Sequence, residues 1–129
     1  MKAMLKSAST LIIFIAMAGM LVPSAWAGHG KKKTIKGYLV DVSCVTERSS
    51  ELGTLGIVHT KRCLQMPDCE RSGYAVLTGD RKIIRFDAAG NQQAKQLIAA
   101  SDRDKDYRIV VSGRVQNESM AVSELHLDQ

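Results

Sequence analysis

The order of the patterned segments is the feature that most constrains how this chain can fold. Five short stretches have strand character, because they are rich in β-branched and aromatic residues and are bounded by turn residues. One further stretch has the apolar spacing of a helix. The strand-like stretches are residues 34–42, 74–78, 82–86, 107–115 and 119–127, and the helical stretch is residues 87–101.

The helical stretch falls between the third and fourth strand-like stretches. This chain order is that of an OB-fold, a small, partly open Greek-key barrel. The sequence therefore predicts a mainly β domain: a small OB-like five-stranded barrel with one helix between strands 3 and 4 and a long cysteine-containing insertion after strand 1. An irregular α+β sandwich with the same elements is the competing interpretation.

Three local signals sharpen this prediction. Gly37, inside the first strand, indicates a bulge or a sharp bend, as expected where one strand serves two sheets or turns a barrel corner. Gly79 and Asp80 provide the turn of a hairpin between the second and third strands. Asn91 is predicted to be the N-cap of the helix, since Ala94, Leu97 and Ile98 follow at helical spacing.

The first 27 residues have the pattern of a cleavable signal peptide. Lys2 and Lys6 form a basic start, residues 11–22 are apolar and shorter than a membrane span, and Ala25-Trp26-Ala27 offers small residues at a cleavage site. We predict cleavage after Ala27, giving a bacterial periplasmic or secreted protein with no stable membrane anchor. An uncleaved anchor is the alternative.

After cleavage, residues 28–33 are predicted to form a basic flexible tail and residues 34–129 a single domain. The signal peptide carries two of the 18 Lys and Arg and none of the 13 acids, so the mature net charge is 16 − 13 = +3. The run Lys31-Lys32-Lys33 is predicted to be a solvated segment that precedes the domain. The alternative is a surface that binds anionic lipid or polymer.

Residues 43–72 form the insertion, and regular alternation is lost there. This stretch holds all three cysteines and His59, with a short helix predicted over residues 60–65. Thirty irregular residues are uncommon in a compact domain unless they are functional or cross-linked. The candidate disulfide or metal residues are Cys44, His59, Cys63 and Cys69.

Two chemistries suit these residues. Three thiolates and one imidazole could form a closed tetrahedral zinc site, whereas the thioether of Met66 would favour Cu(I). Alternatively, one disulfide forms and one thiol is left over, as expected for an odd number of cysteines in an oxidising compartment. In a third interpretation, Asp41 orients His59 so that the imidazole activates a nucleophilic cysteine. His29, beside the new N-terminus, could hold Cu(II) weakly.

Taken together, these motifs resemble a group of small exported bacterial proteins. The similarity rests on a Gly-aromatic strand ending in Asp-x-x-Cys, then a histidine and a cysteine pair, then a β remainder ending in a Val-x-Gly strand. The matching segments are 37–44, 59–69, 72–76, 86–91 and 111–113. The five residues between Cys63 and Cys69 exceed the closer spacing expected of many members. The resemblance implies export and an OB-like fold, and it carries no activity with it.

From these observations we expect a non-enzymatic binding or structural module of the cell envelope, stabilised by a disulfide in the insertion. Its partner would be an envelope protein or a small ligand. A periplasmic zinc- or copper-binding protein is the alternative. We do not expect nucleic-acid binding, because the chain is predicted to be exported and its strands carry few aromatic side chains for stacking on bases.

Overall fold

The computed structural model describes residues 30–129, and it confirms the predicted architecture: a closed five-stranded barrel in the order β1-β2-β3-β5-β4. Its neighbouring strands are antiparallel except for β3 and β5, which are parallel. The strands are β1 (Lys31–Asp41), β2 (Tyr74–Leu77), β3 (Ile83–Phe86), β4 (Arg108–Gln116) and β5 (Ser119–Leu127). The predicted signal peptide and His29 lie outside the described residues.

β1 turns a corner of the barrel, as the glycine within it suggested. Lys31–Tyr38 pair with β4, and Tyr38–Asp41 pair with β2. A Cβ atom at Gly37 would lie 2.4 Å from the main-chain oxygen of Leu77, so only glycine allows the two strands to approach this closely. The register irregularity in the described sheet lies elsewhere, between Ser112 and Gly113.

The prediction of a flexible tail over residues 28–33 is wrong for its lysines. Lys31, Lys32 and Lys33 begin β1 and pair with β4, with Lys31 opposite Val115 and Lys33 opposite Gly113. The three side chains are exposed. Because a β ladder uses main-chain groups, a run of charged side chains can extend a strand as long as the side chains reach water.

The insertion is largely helical rather than irregular. It contains α1 (Val42–Glu47), α2 (Leu52–Val58), α3 (Lys61–Leu64) and α4 (Pro67–Ser72), and α3 confirms the predicted short helix. Buried side chains of α1 and α2 pack on the outside of β1 and β2 in a small core made of Val40, Val45, Leu55, Ala75 and Leu77. These helices are too short to be stable alone, so tertiary packing holds them in place.

The main core fills the interior of the barrel and the interface between the barrel and α5 (Ala88–Ala100). Ala94 and Ile98 of α5 are buried, as is Phe86, and Tyr74 donates a hydrogen bond of 2.7 Å from its hydroxyl to the Leu64 carbonyl. None of the helices within residues 30–129 has the length and apolar character needed to cross a membrane.

The predicted N-cap of α5 is also wrong. Asp87 caps the helix, accepting a hydrogen bond from the main-chain N–H of Gly90. Asn91 lies inside α5, and its side-chain oxygen accepts from the main-chain N–H of Tyr74 at 2.8 Å. The side chain of Asn91 therefore ties the helix to the start of β2.

Candidate functional site

Asp41 lies where β1 ends and the insertion begins, and its side chain is completely buried. One carboxylate oxygen, Oδ1, accepts a hydrogen bond of 2.8 Å from the main-chain N–H of Cys44, which makes Asp41 the N-cap of α1. Aspartate is among the preferred N-cap residues because its carboxylate accepts from a free N–H in the first turn. The same Asp-x-x-Cys spacing thus starts the helix and brings Cys44 beside the carboxylate.

His59 binds the other carboxylate oxygen of Asp41. Its Nε2 lies 2.7 Å from Asp41 Oδ2, and both side chains are buried. His59 follows the last turn of α2, where its main-chain N–H donates to the Leu55 carbonyl. The histidine is thereby held against the end of β1.

These contacts keep Asp41 ionised. Burial alone would raise its pKa, but the hydrogen bonds from His59 and from the Cys44 N–H, with the charge on His59, outweigh burial and hold the pKa below its usual value. A buried carboxylate is therefore present as an anion at neutral pH.

Two thiols complete the cluster. Cys44 on α1 is half-buried and Cys69 on α4 is buried. Their sulfur atoms are 4.2 Å apart. Both sulfurs and one carboxylate oxygen of Asp41 lie within 4.8 Å of one another. We call these three side chains the Asp/Cys/Cys cluster.

The cluster disfavours thiolates. Burial, followed by the negative charge of Asp41, raises the pKa of Cys44 to about 12 and raises that of Cys69 in the same direction. Reactive cysteines have lowered pKa values and lie in electropositive surroundings. Neither thiol in this cluster has the environment of a nucleophile; a bound cation would reverse that preference by favouring the deprotonated form.

The other predicted site residues are not in this cluster. Cys63 is half-buried on α3, and Met66, the N-cap of α4, is 48% exposed. His59 reaches Asp41 rather than joining the two sulfurs. Asp41 is the residue that connects Cys44, His59 and Cys69. Its signal in the sequence was the position at a strand end, three residues before a cysteine.

In comparison with known proteins, no family model, no curated protein and no solved structure matches this chain.

Proposed function

We propose that this chain is an exported, non-enzymatic binding module whose Asp/Cys/Cys cluster holds a zinc or copper ion. The observation that carries the proposal is the convergence of two sulfurs and one buried carboxylate oxygen within 4.8 Å. Zinc takes thiolate, imidazole and carboxylate ligands, and thiolates also suit Cu(I).

The sulfurs of Cys44 and Cys69 are close enough together to share one metal ion. Two thiolates on a tetrahedral zinc ion are about 3.8 Å apart, given zinc–sulfur distances of about 2.3 Å. A disulfide requires about 2.05 Å. The 4.2 Å between Cys44 and Cys69 is close to the first value.

The surroundings of Asp41 also suit a ligand. Carboxylates that bind metals are themselves hydrogen-bonded by an outer layer of residues, which fixes their orientation. His59 and the Cys44 N–H supply two such bonds. With three ligands from the cluster, a tetrahedral ion would keep a fourth position for water or another donor.

A disulfide between Cys44 and Cys69 is the second candidate, because these two sulfurs are neighbours and the chain is predicted to reach an oxidising compartment. The bond would close a loop of 69 − 44 = 25 residues. On the chain-entropy model this stabilises the fold by about 3.5 kcal/mol. In that case the cluster is structural, and the binding function lies elsewhere on the barrel.

The experiment is a zinc and Cu(I) titration of the mature protein, alongside native mass spectrometry of the same chain purified from its host without reductant. We expect one ion per chain, lost in Cys44→Ser and Cys69→Ser. Cys63→Ser is the matched control, since this half-buried cysteine lies outside the cluster and its loss should leave binding unchanged.

A native mass two hydrogens light, with no metal, would contradict the metal proposal and favour the disulfide. Loss of binding in Cys63→Ser together with His59→Gln would instead support the three-cysteine, one-histidine site that the sequence suggested.

Export and membership of the group of small exported bacterial proteins are part of the same proposal, and they rest on the sequence alone. The mass of the chain isolated from the cell envelope tests export, with residue 28 as the expected first residue. A mass that retains residues 1–27 would contradict cleavage.

A further inference from the structure

A cleft on the side of the barrel opens between α1, the β2–β3 turn and the β4–β5 turn. Its volume is about 680 Å³, within the usual range for small-molecule sites. The walls combine exposed basic side chains with the half-buried aliphatic residues Ile83, Ile84 and Val115. We call it the basic cleft. It is separate from the Asp/Cys/Cys cluster, none of whose residues line it.

Four cations line the basic cleft: Lys33, Arg81, Lys82 and Arg85. Lys82 pairs with Asp80 at 3.1 Å. Among residues 30–129, the other three form no ion pair. The acid in the lining is Glu118, so the cleft carries an excess of positive charge.

The charged side chains come from different elements. Lys33 lies on β1, Arg81 in the β2–β3 turn, and Arg85 on β3. Arg81 has a positive φ of 64°, in the left-handed region. Its guanidinium lies about 3.4 Å from the place that a Cβ atom would occupy if Gly53, at the start of α2, carried one.

We propose that the basic cleft binds a single-chain anionic amphiphile, with the anionic head among the unpaired cations and the aliphatic chain on Ile84 and Val115. The aliphatic side chains of the lining are half-buried and the cations are exposed, so an extended chain inside the cleft would contact the aliphatic residues while its head meets the cations. The positive charge of the cleft indicates that the head of the ligand is anionic. The aliphatic, non-aromatic residues of its lining indicate that the tail is an alkyl chain.

The test uses the mature protein and isothermal titration calorimetry with decyl phosphate at concentrations where it is monomeric. Removing one exposed charge partner changes an interaction by about 1.4- to 5-fold. We therefore expect Arg81→Gln and Arg85→Gln each to weaken binding by about that factor. Glu118→Gln should strengthen it, because this change removes the negative charge from the lining.

Arg108→Gln is the matched control. This exposed arginine lies on β4 outside the basic cleft and pairs with Asp106, so binding should not change. Circular dichroism of every variant checks that the barrel is intact, which we expect because all four side chains are exposed.

Three comparison ligands separate this proposal from its rivals. Inorganic phosphate lacks the chain, decyl maltoside lacks the charge, and phosphatidylglycerol vesicles present the headgroup as a surface. Equal binding of either small ligand, or binding of vesicles that decyl phosphate does not displace, would overturn the proposal. So would the absence of any binding of decyl phosphate by the unaltered protein.

Discussion

Replacing His59 with alanine should destabilise the fold more than any change at an exposed position, because it leaves a buried charge behind. Asp41 is 0% exposed and ionised, and one of its two oxygens depends on His59 Nε2 at 2.7 Å. Leaving a buried neutral polar group without its hydrogen-bond partner costs about 1–3 kcal/mol, and a buried charged group such as this carboxylate costs more. Domains of this size have about 5–15 kcal/mol of stability in total.

His59→Gln is the conservative variant. Its side-chain amide can donate to Asp41 from a position close to that of Nε2, so we expect a smaller loss, about 1–2 kcal/mol. Asp41→Asn separates the charge from the helix cap, since asparagine caps α1 about as well as aspartate does. In that background His59→Ala should cost at least 1.5 kcal/mol less, because no charge is stranded.

The measurement is urea-induced unfolding at pH 7, followed by circular dichroism, with a chelator and a reductant present so that neither a metal nor a disulfide contributes. A loss below about 1 kcal/mol for His59→Ala would refute the reasoning. An equal loss in the Asp41→Asn background would also refute it, because the cost would then come from the missing imidazole volume and not from the charge.

Three further predictions test the fold. Tyr74→Phe should lower the free energy of unfolding by about 1–2 kcal/mol in urea titrations, because a buried main-chain carbonyl loses its donor. Gly56→Ala should cost about 1–3 kcal/mol in the same assay, since a Cβ there would lie 2.3 Å from the Tyr38 ring, while Gly79→Ala, with open space around it, should not. The pKa of Asp41 is lowered in the folded state, so its stabilising contribution is present above the ordinary aspartate pKa and is lost as the pH falls through the folded value. As the pH is lowered, the free energy of unfolding of the metal-free protein should therefore fall less steeply in Asp41→Asn than in the unaltered protein. An unchanged slope would contradict this prediction.

Strands were predictable here because alternation and turn chemistry are local. The hairpin through Gly79 and Asp80 needed only its own residues. The insertion was not predictable in the same way. Its helices are four to seven residues long, too short to display a period, and they form because they pack on β1 and β2.

The capping residues show the same division. Asp87 caps α5 by accepting a hydrogen bond from Gly90, three residues later in the chain. This contact is local, but the small residues of the first turn do not mark where the helix begins. Asn91 was expected to do this and instead joins the helix to β2, seventeen residues earlier. In the candidate site, the Asp41–Cys44 contact was encoded locally, whereas the approach of His59 and Cys69 to Asp41 requires the folded insertion.

The first half of β1 has a consequence for how copies of this chain meet one another. Lys31–Gly37 pair with β4 on one side, and within the described residues no strand pairs with them on the other. An open strand edge can add a strand from another molecule, and lysines are a common means of preventing that association. Lys31, Lys32, Lys33 and Lys36 are all exposed on this segment. Repulsion between the lysines of two molecules would oppose the addition of a strand at this edge.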